Sequence, residues 1–287
     1  MTDHPTPLIS ADALHRLQTE QPEGVLVCDC SFDLGDPDAG VRTFMDGHVP
    51  HAVYVHLEGA LSGHPTGSNG RHPLPEADTF SRAMSELGAG DDTQIVAYDA
   101  GDGLYAARLW WLARWVGHTR VAVLDGGLRA WREAGLPVET GAAPARRPGG
   151  FTRRAPLVAW VDHATVRENL ETAASLVIDA RSPERFRGEN ESMDPVGGHI
   201  PGAVNRFYKD NLADGRFKLA AELRADFDRV TGGREARTVI SQCGSGVTAC
   251  HNLLAMEVAG LPGAALYGGS WSEWCAQPGA PVATGVA

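Results

Sequence analysis

The sequence predicts an α/β fold present twice in tandem, each copy a mainly parallel sheet flanked by helices. Two observations carry this expectation. Short apolar runs alternate with helix-patterned segments along the whole chain of 287 residues, the alternation that builds parallel sheets. The two halves also repeat each other, with a spacing that drifts by only a few residues. A period this long marks a duplicated domain rather than a solenoid.

Val25-Leu26-Val27-Cys28-Asp29 matches Ser175-Leu176-Val177-Ile178-Asp179, and both read as buried strands. Gly47-His48-Val49-Pro50-His51-Ala52 then matches Gly198-His199-Ile200-Pro201-Gly202-Ala203. Gln94-Ile95-Val96-Ala97-Tyr98-Asp99 matches Thr238-Val239-Ile240-Ser241-Gln242-Cys243. Leu104 to Val116 is apolar at most positions and suits a well-buried helix. Val121–Leu124 is an apolar run ending in Asp-Gly-Gly, a parallel-strand signature, and with Trp131 it matches Tyr267-Gly268-Gly269-Ser270 and Trp274. Ala220 to Val230 carries Leu223, Phe227 and Val230 at helical spacing. These matches place a first domain at 1–140, a Gly/Pro/Ala/Arg-rich linker without apolar periodicity at 141–156, and a second domain at 157–287.

Apolar content of 43 % and charged content of 21 % are those of a globular protein. A net charge of −11 gives a nucleic-acid role little support, although local arginines can still form a positive pocket. No basic-then-apolar leader opens the sequence, and no window approaches the length of a membrane span. A cytoplasmic location without membrane partners is therefore expected. Five cysteines, an odd number, argue against a disulfide framework. Cys28-Asp29-Cys30 reads as a buried strand end. The histidines at 48, 51, 56, 64 and 72 lack the spacing of a zinc site.

The segment Cys243-Gly244-Ser245-Gly246-Val247-Thr248-Ala249 holds the expected chemistry. It follows a strand and leads into a helix. Glycines at 244 and 246 permit backbone angles that let several N–H groups converge on one point. The following helix adds its positive end. Such a loop suits a sulfur anion and makes Cys243 a ready nucleophile. It is not a phosphate-binding loop, because it has no lysine, and not a cysteine phosphatase loop, because Ala249 stands where an arginine is needed. Asp99 occupies the matching place in the first half, so only the second half carries a nucleophile.

The cysteine loop, the paired Gly-His-Ile/Val-Pro segments and the Asp-Gly-Gly…Trp segments resemble those of tandem rhodanese-type sulfurtransferases. The likeness runs from about residue 8 to residue 283. It implies two rhodanese-like domains and a persulfide on Cys243, cradled by the amides of Gly244, Gly246, Val247 and Thr248. Loops of the Cys-Gly-Ser-Gly type resemble those of 3-mercaptopyruvate-using members, whereas thiosulfate-preferring members tend to carry Arg-Lys after the cysteine. The family's donor-binding arginine falls on Arg185 in Asp179-Ala180-Arg181-Ser182-Pro183-Glu184-Arg185-Phe186, with Arg181 alongside. The second arginine of mercaptopyruvate enzymes would come nine residues later, where this chain has Asp194; Arg187 is a candidate substitute, a question the sequence leaves open. A serine–histidine–acid set of the family falls on Ser245, His72 and Glu58.

The resemblance implies ping-pong sulfur transfer. A Cys243 thiolate takes sulfur from 3-mercaptopyruvate and passes it to cyanide or a thiol, the latter a small molecule or a thioredoxin-like protein. No metal or organic cofactor is called for. The alternatives are a thiosulfate sulfurtransferase and a non-catalytic sulfur-carrier or regulatory module; a phosphatase-like or arsenate-handling enzyme is disfavoured by Ala249.

Overall fold

The computed structural model describes residues 6–143 and 145–286. They form two compact units. Unit 1 gathers the chain up to Ser62, then Pro75–Leu157 and Asp214–Arg216; unit 2 gathers Gly63–Leu74, Val158–Ala213 and the chain from Phe217 onward.

Unit 1 runs β1 (Leu8–Ile9), α1 (Ala11–Glu20), β2 (Val25–Asp29), α2 (Ala39–Asp46), β3 (Val53–Tyr54), α3 (Ala77–Glu86), β4 (Gln94–Tyr98), α4 (Ala106–Trp115), β5 (Val121–Leu124) and α5 (Gly127–Glu133). The strands lie parallel in the order β1-β5-β4-β2-β3. All five residues of β2 are buried, as in a sheet covered on both faces. The apolar stretch around Leu104–Val116 is α4, and its residues from Ala106 to Ala113 are all buried. Ser10 caps α1 by accepting the Ala13 N–H.

Unit 2 repeats the plan with β6 (Ala159–Val161), α6 (His163–Thr172), β7 (Leu176–Asp179), α7 (Pro183–Arg187), β8 (Val204–Asn205), β9 (Leu212–Ala213), β10 (Arg216–Phe217, of which Phe217 belongs to this unit), α8 (Ala220–Thr231), β11 (Val239–Gln242), α9 (Thr248–Val258), β12 (Ala265–Tyr267) and α10 (Ser270–Trp274). Its main sheet is parallel in the order β6-β12-β11-β7-β8, the same permutation as unit 1.

The repeated sequence marks turn out to be fasteners. In each Gly-His-x-Pro segment the imidazole stacks on a phenylalanine, His48 on Phe44 at 3.8 Å and His199 on Phe186 at 3.7 Å. Each Nδ1 also lies on that phenylalanine's carbonyl, at 2.7 Å and 2.8 Å. Each repeated tryptophan is buried in its unit's core and spends its indole N–H on a proline carbonyl, Trp131 on Pro137 at 2.7 Å and Trp274 on Pro281 at 2.9 Å. Cys28 and Cys30 are buried where β2 ends, and burial pushes the Cys28 thiol up to about 12.

The segment expected as a linker is fastened to unit 1 in its second part. Gly149 N–H donates to Ser85 O at 2.8 Å, Thr152 N–H to Asp91 Oδ1 at 2.7 Å and Arg154 N–H to Val116 O at 2.8 Å. A chain without its own secondary structure satisfies its amides in this way. The division of the chain also differs from a simple cut at the linker. Gly63–Leu74 lies within the first sequence repeat yet packs as part of unit 2. Gly63 and Pro73 close it into a loop by a backbone bond of 2.9 Å, and Ser68 O accepts the Gln277 amide at 2.7 Å.

Candidate active site

β11 ends at Gln242 and delivers Cys243 to the carboxyl end of the second sheet, where α/β folds place their sites. The next turn is fixed by backbone pairing to the first turn of α10. Trp271 N–H donates to Cys243 O and Ser272 N–H to Gly244 O, each at 2.9 Å. Cys243 N–H donates to Ser270 Oγ at 3.1 Å, and that hydroxyl donates to Tyr267 O at 2.8 Å. Gly246 N–H turns inward and donates to Cys243 Sγ at 3.1 Å. α9 begins two residues later at Thr248, so its positive end adds to the field at the sulfur.

The two glycines serve different purposes. Gly246 has φ +78°, and a Cβ there would lie 2.3 Å from Gly268 O, so both its conformation and its surroundings demand glycine. Gly244 has no left-handed backbone angle, contrary to the expectation that both glycines serve conformation. A Cβ there would face guanidinium tips instead, Arg71 Nη2 at 3.0 Å and Arg185 Nη1 at 3.5 Å.

Ser245 Oγ and His72 Nδ1 are hydrogen-bonded at 2.8 Å, and both residues are buried. His72 reaches the cysteine loop because residues 63–74 belong to unit 2. Gly70, at φ +89°, packs so tightly on Gly269 that a Cβ would come within 2.7 Å of Gly269 O. Arg71 N–H then donates to Ser272 Oγ at 3.0 Å.

A cluster of charge surrounds the loop. Arg185 Nη2 pairs with Glu191 at 2.9 Å and with Asp194 Oδ2 at 3.1 Å. Arg71 Nη1 pairs with Asp194 Oδ1. Arg181 is tied to Asp179 at 2.7 Å and to Gly198 O at 2.7 Å, with its guanidinium 4.7 Å over the Trp271 ring. Burial lifts the Asp194 carboxyl above its usual range although Arg71 and Arg185 oppose it. Burial also acts on Glu191, but there Arg185 and the amides of Met193 and Asp194 win and hold it below its usual range.

The structure thus gathers Cys243, Gly244, Ser245, Gly246, Val247, Thr248, His72, Arg181 and Arg185 in one unit. Arg187, the candidate for the missing second arginine, holds Glu189 at 2.7 Å near the surface. Glu58 is an exposed residue of unit 1, with its amide on His56 Nδ1 at 3.1 Å. Arg71, Glu191 and Ser270 escaped the sequence reading. Arg71 stands beside His72, so the Arg71-His72 pair was the available signal.

Unit 1 shows what the duplicate loop became. The Asp99 carboxylate, fully enclosed, accepts the N–H groups of Gly101 (3.1 Å), Gly103 (2.9 Å), Tyr105 (2.9 Å) and Ala106 (3.3 Å). The loop's converging amides are filled by its own side chain.

The rhodanese-like domain description matches residues 10–134 and 162–277, one copy in each half. The chain belongs to the rhodanese family. It is 45 % identical over 264 residues to a probable 3-mercaptopyruvate sulfurtransferase of Pseudomonas aeruginosa, covering 91 % of this chain and 93 % of that protein. It is 37 % identical over 240 residues to the thiosulfate sulfurtransferase of Mus musculus, covering 81 % of this chain and 79 % of that one. The crystal structure of SseA, a 3-mercaptopyruvate sulfotransferase from Escherichia coli, superposes with a TM-score of 0.80 at 35 % identity, over 93 % of this chain and 99 % of that one. Among the described residues no helix is long and apolar enough to cross a membrane.

Proposed function

We propose that this protein is a sulfurtransferase that takes sulfur from 3-mercaptopyruvate onto Cys243 and hands it to a thiol. The observation that carries this reading is the Gly246 N–H donated to Cys243 Sγ at 3.1 Å, in a loop whose next hydroxyl, Ser245 Oγ, is bonded to His72. The sulfur is held where negative charge is stabilised, and a proton-bearing pair stands next to it.

The Cys243 thiolate attacks the donor's sulfur. A new S–S bond forms while the donor's C–S bond breaks, and its electron pair passes to carbon as the enolate of pyruvate. Ser245, relayed by His72, supplies the proton that converts the enolate to pyruvate. The loop amides of Gly244, Gly246, Val247 and Thr248 surround the outgoing persulfide charge, and Arg185 holds the donor carboxylate by charge-assisted hydrogen bonds. An acceptor thiolate then attacks the outer sulfur, leaves as a persulfide and restores the Cys243 thiolate. A small thiol or a thioredoxin-like protein would serve as acceptor.

The test is pyruvate release from 3-mercaptopyruvate with a small thiol as acceptor, combined with intact-mass analysis after donor treatment alone. One added sulfur per chain and stoichiometric pyruvate are expected. A chain that gains no sulfur and releases no pyruvate overturns the reading.

A further inference from the structure

We infer that Arg71, delivered by the 63–74 loop, is the second donor-carboxylate ligand of this site, and that Asp194 is the residue that positions it. This rests on the sulfurtransferase reading above and adds a specific residue pair to it.

The geometry separates the hydrogen-bonding faces of the two arginines. Asp194 bridges them, using Arg71 Nη1 and Arg185 Nη2, while Glu191 takes Arg185 Nε and shares Nη2. The side chains of Asp194 and Glu191 are only 3 % and 5 % exposed, so these carboxylates form a fixed backing. The atoms left over are those that face the cysteine loop. Arg71 Nη2 and Arg185 Nη1 lie 3.0 Å and 3.5 Å from where a Cβ of Gly244 would stand. Arg71 Nε is a buried donor without a hydrogen-bond partner among the described residues. An orphaned donor of this kind is costly unless a ligand completes it. The Arg71 side chain as a whole keeps 29 % exposure. A carboxylate placed over Gly244 would meet one N–H from each guanidinium, beside the residue that carries the reactive sulfur.

Asp194 therefore acts through Arg71 and Arg185 rather than on the donor. Its negative charge, taken alone, would repel an anionic substrate; its bridging position fixes both cations in register. These two effects predict opposite changes, which makes the role testable.

Steady-state rates would be measured with 3-mercaptopyruvate and a small thiol for wild type, Arg71→Ala, Arg71→Lys and Asp194→Ala, with thermal midpoints recorded for each. Arg71→Ala should lower kcat/KM by about ten- to a hundredfold, the usual effect of losing a charge-assisted contact, chiefly through a higher KM. Arg71→Lys should recover part of it. Asp194→Ala should raise KM severalfold, whereas a merely repulsive carboxylate predicts a lower KM. An unchanged KM in Arg71→Ala with an unchanged midpoint, or a lower KM in Asp194→Ala, overturns the inference while wild-type turnover keeps the sulfurtransferase reading intact. If wild type releases no pyruvate, the donor reading falls instead. The same variants assayed with thiosulfate and cyanide then decide the arginine clamp by the same criteria.

Discussion

Replacing Gly246 by alanine tests how the cysteine loop is held. The perturbation is a single methyl group at φ +78°, aimed at Gly268 O from 2.3 Å. A left-handed alanine costs roughly 1–2 kcal/mol, and forcing a methyl into a filled space adds about 1–3 kcal/mol. The obstacle is backbone of a neighbouring loop, so the strain is relieved by displacing the Cys243 turn rather than a side chain. A loss of about 2–5 kcal/mol corresponds to a fall of roughly 5–15 °C in the unfolding midpoint of a chain of this size. The displaced amide also leaves Cys243 Sγ, now 3.1 Å away. Losing one hydrogen bond to a charged group typically costs ~1.5–3 kcal/mol, so kcat for sulfur transfer should drop at least about tenfold. Gly244→Ala is the control. Its methyl meets only the tip of Arg71 at 3.0 Å, which can shift, so the midpoint should stay within a few degrees while KM rises. Differential scanning calorimetry and the pyruvate assay read both variants. If Gly246→Ala keeps its midpoint and its rate, the loop is not fixed by the geometry described.

Three further outcomes are expected. Cys243→Ser should abolish turnover and persulfide formation by mass spectrometry with the fold intact, and Cys250, enclosed seven residues on with its thiol on Gly246 O, should not compensate. Asp99→Ala should keep sulfur transfer yet destabilise unit 1 by about 2–4 kcal/mol, more than an average substitution, because four amide donors lose their shared acceptor; chemical denaturation alongside the activity assay checks both halves of the statement. The kcat/KM for 3-mercaptopyruvate should exceed that for thiosulfate by at least roughly tenfold, ~1.4 kcal/mol, because Arg71, Arg181 and Arg185 are matched by Asp179, Glu191 and Asp194 and leave no surplus cation for a dianion. Equal rates with the two donors would refute that charge argument.

Local pattern was enough for the elements that depend on local pattern. The apolar runs at Val25–Val27 and Val121–Leu124 are strands, and the helical spacing from Ala220 is α8, because burial on a parallel sheet imposes those residue types. The loop around Cys243 was legible for the same reason: strand end, turn and helix start are contiguous. Arg71 and Asp194 were not, since their pairing joins positions 123 residues apart and no periodicity connects them. The surroundings of Gly244 were equally hidden, because they are set by two guanidiniums from distant segments. Asp194 read alone looked like a charge in the wrong place. Only the arginine brought to its other oxygen gives it a use.

Residues 63–74 bear on the history of the duplication. The copy that holds Asp99 in place of a thiol still lends the other copy His72 and Arg71. A gene cut at the junction between the repeats would yield a second half with its cysteine but without that histidine or that arginine. On the roles proposed for His72 and Arg71, the first copy cannot be shed once the second has come to borrow from it. Selection acting on sulfur chemistry alone would then preserve a domain that carries no reactive sulfur of its own.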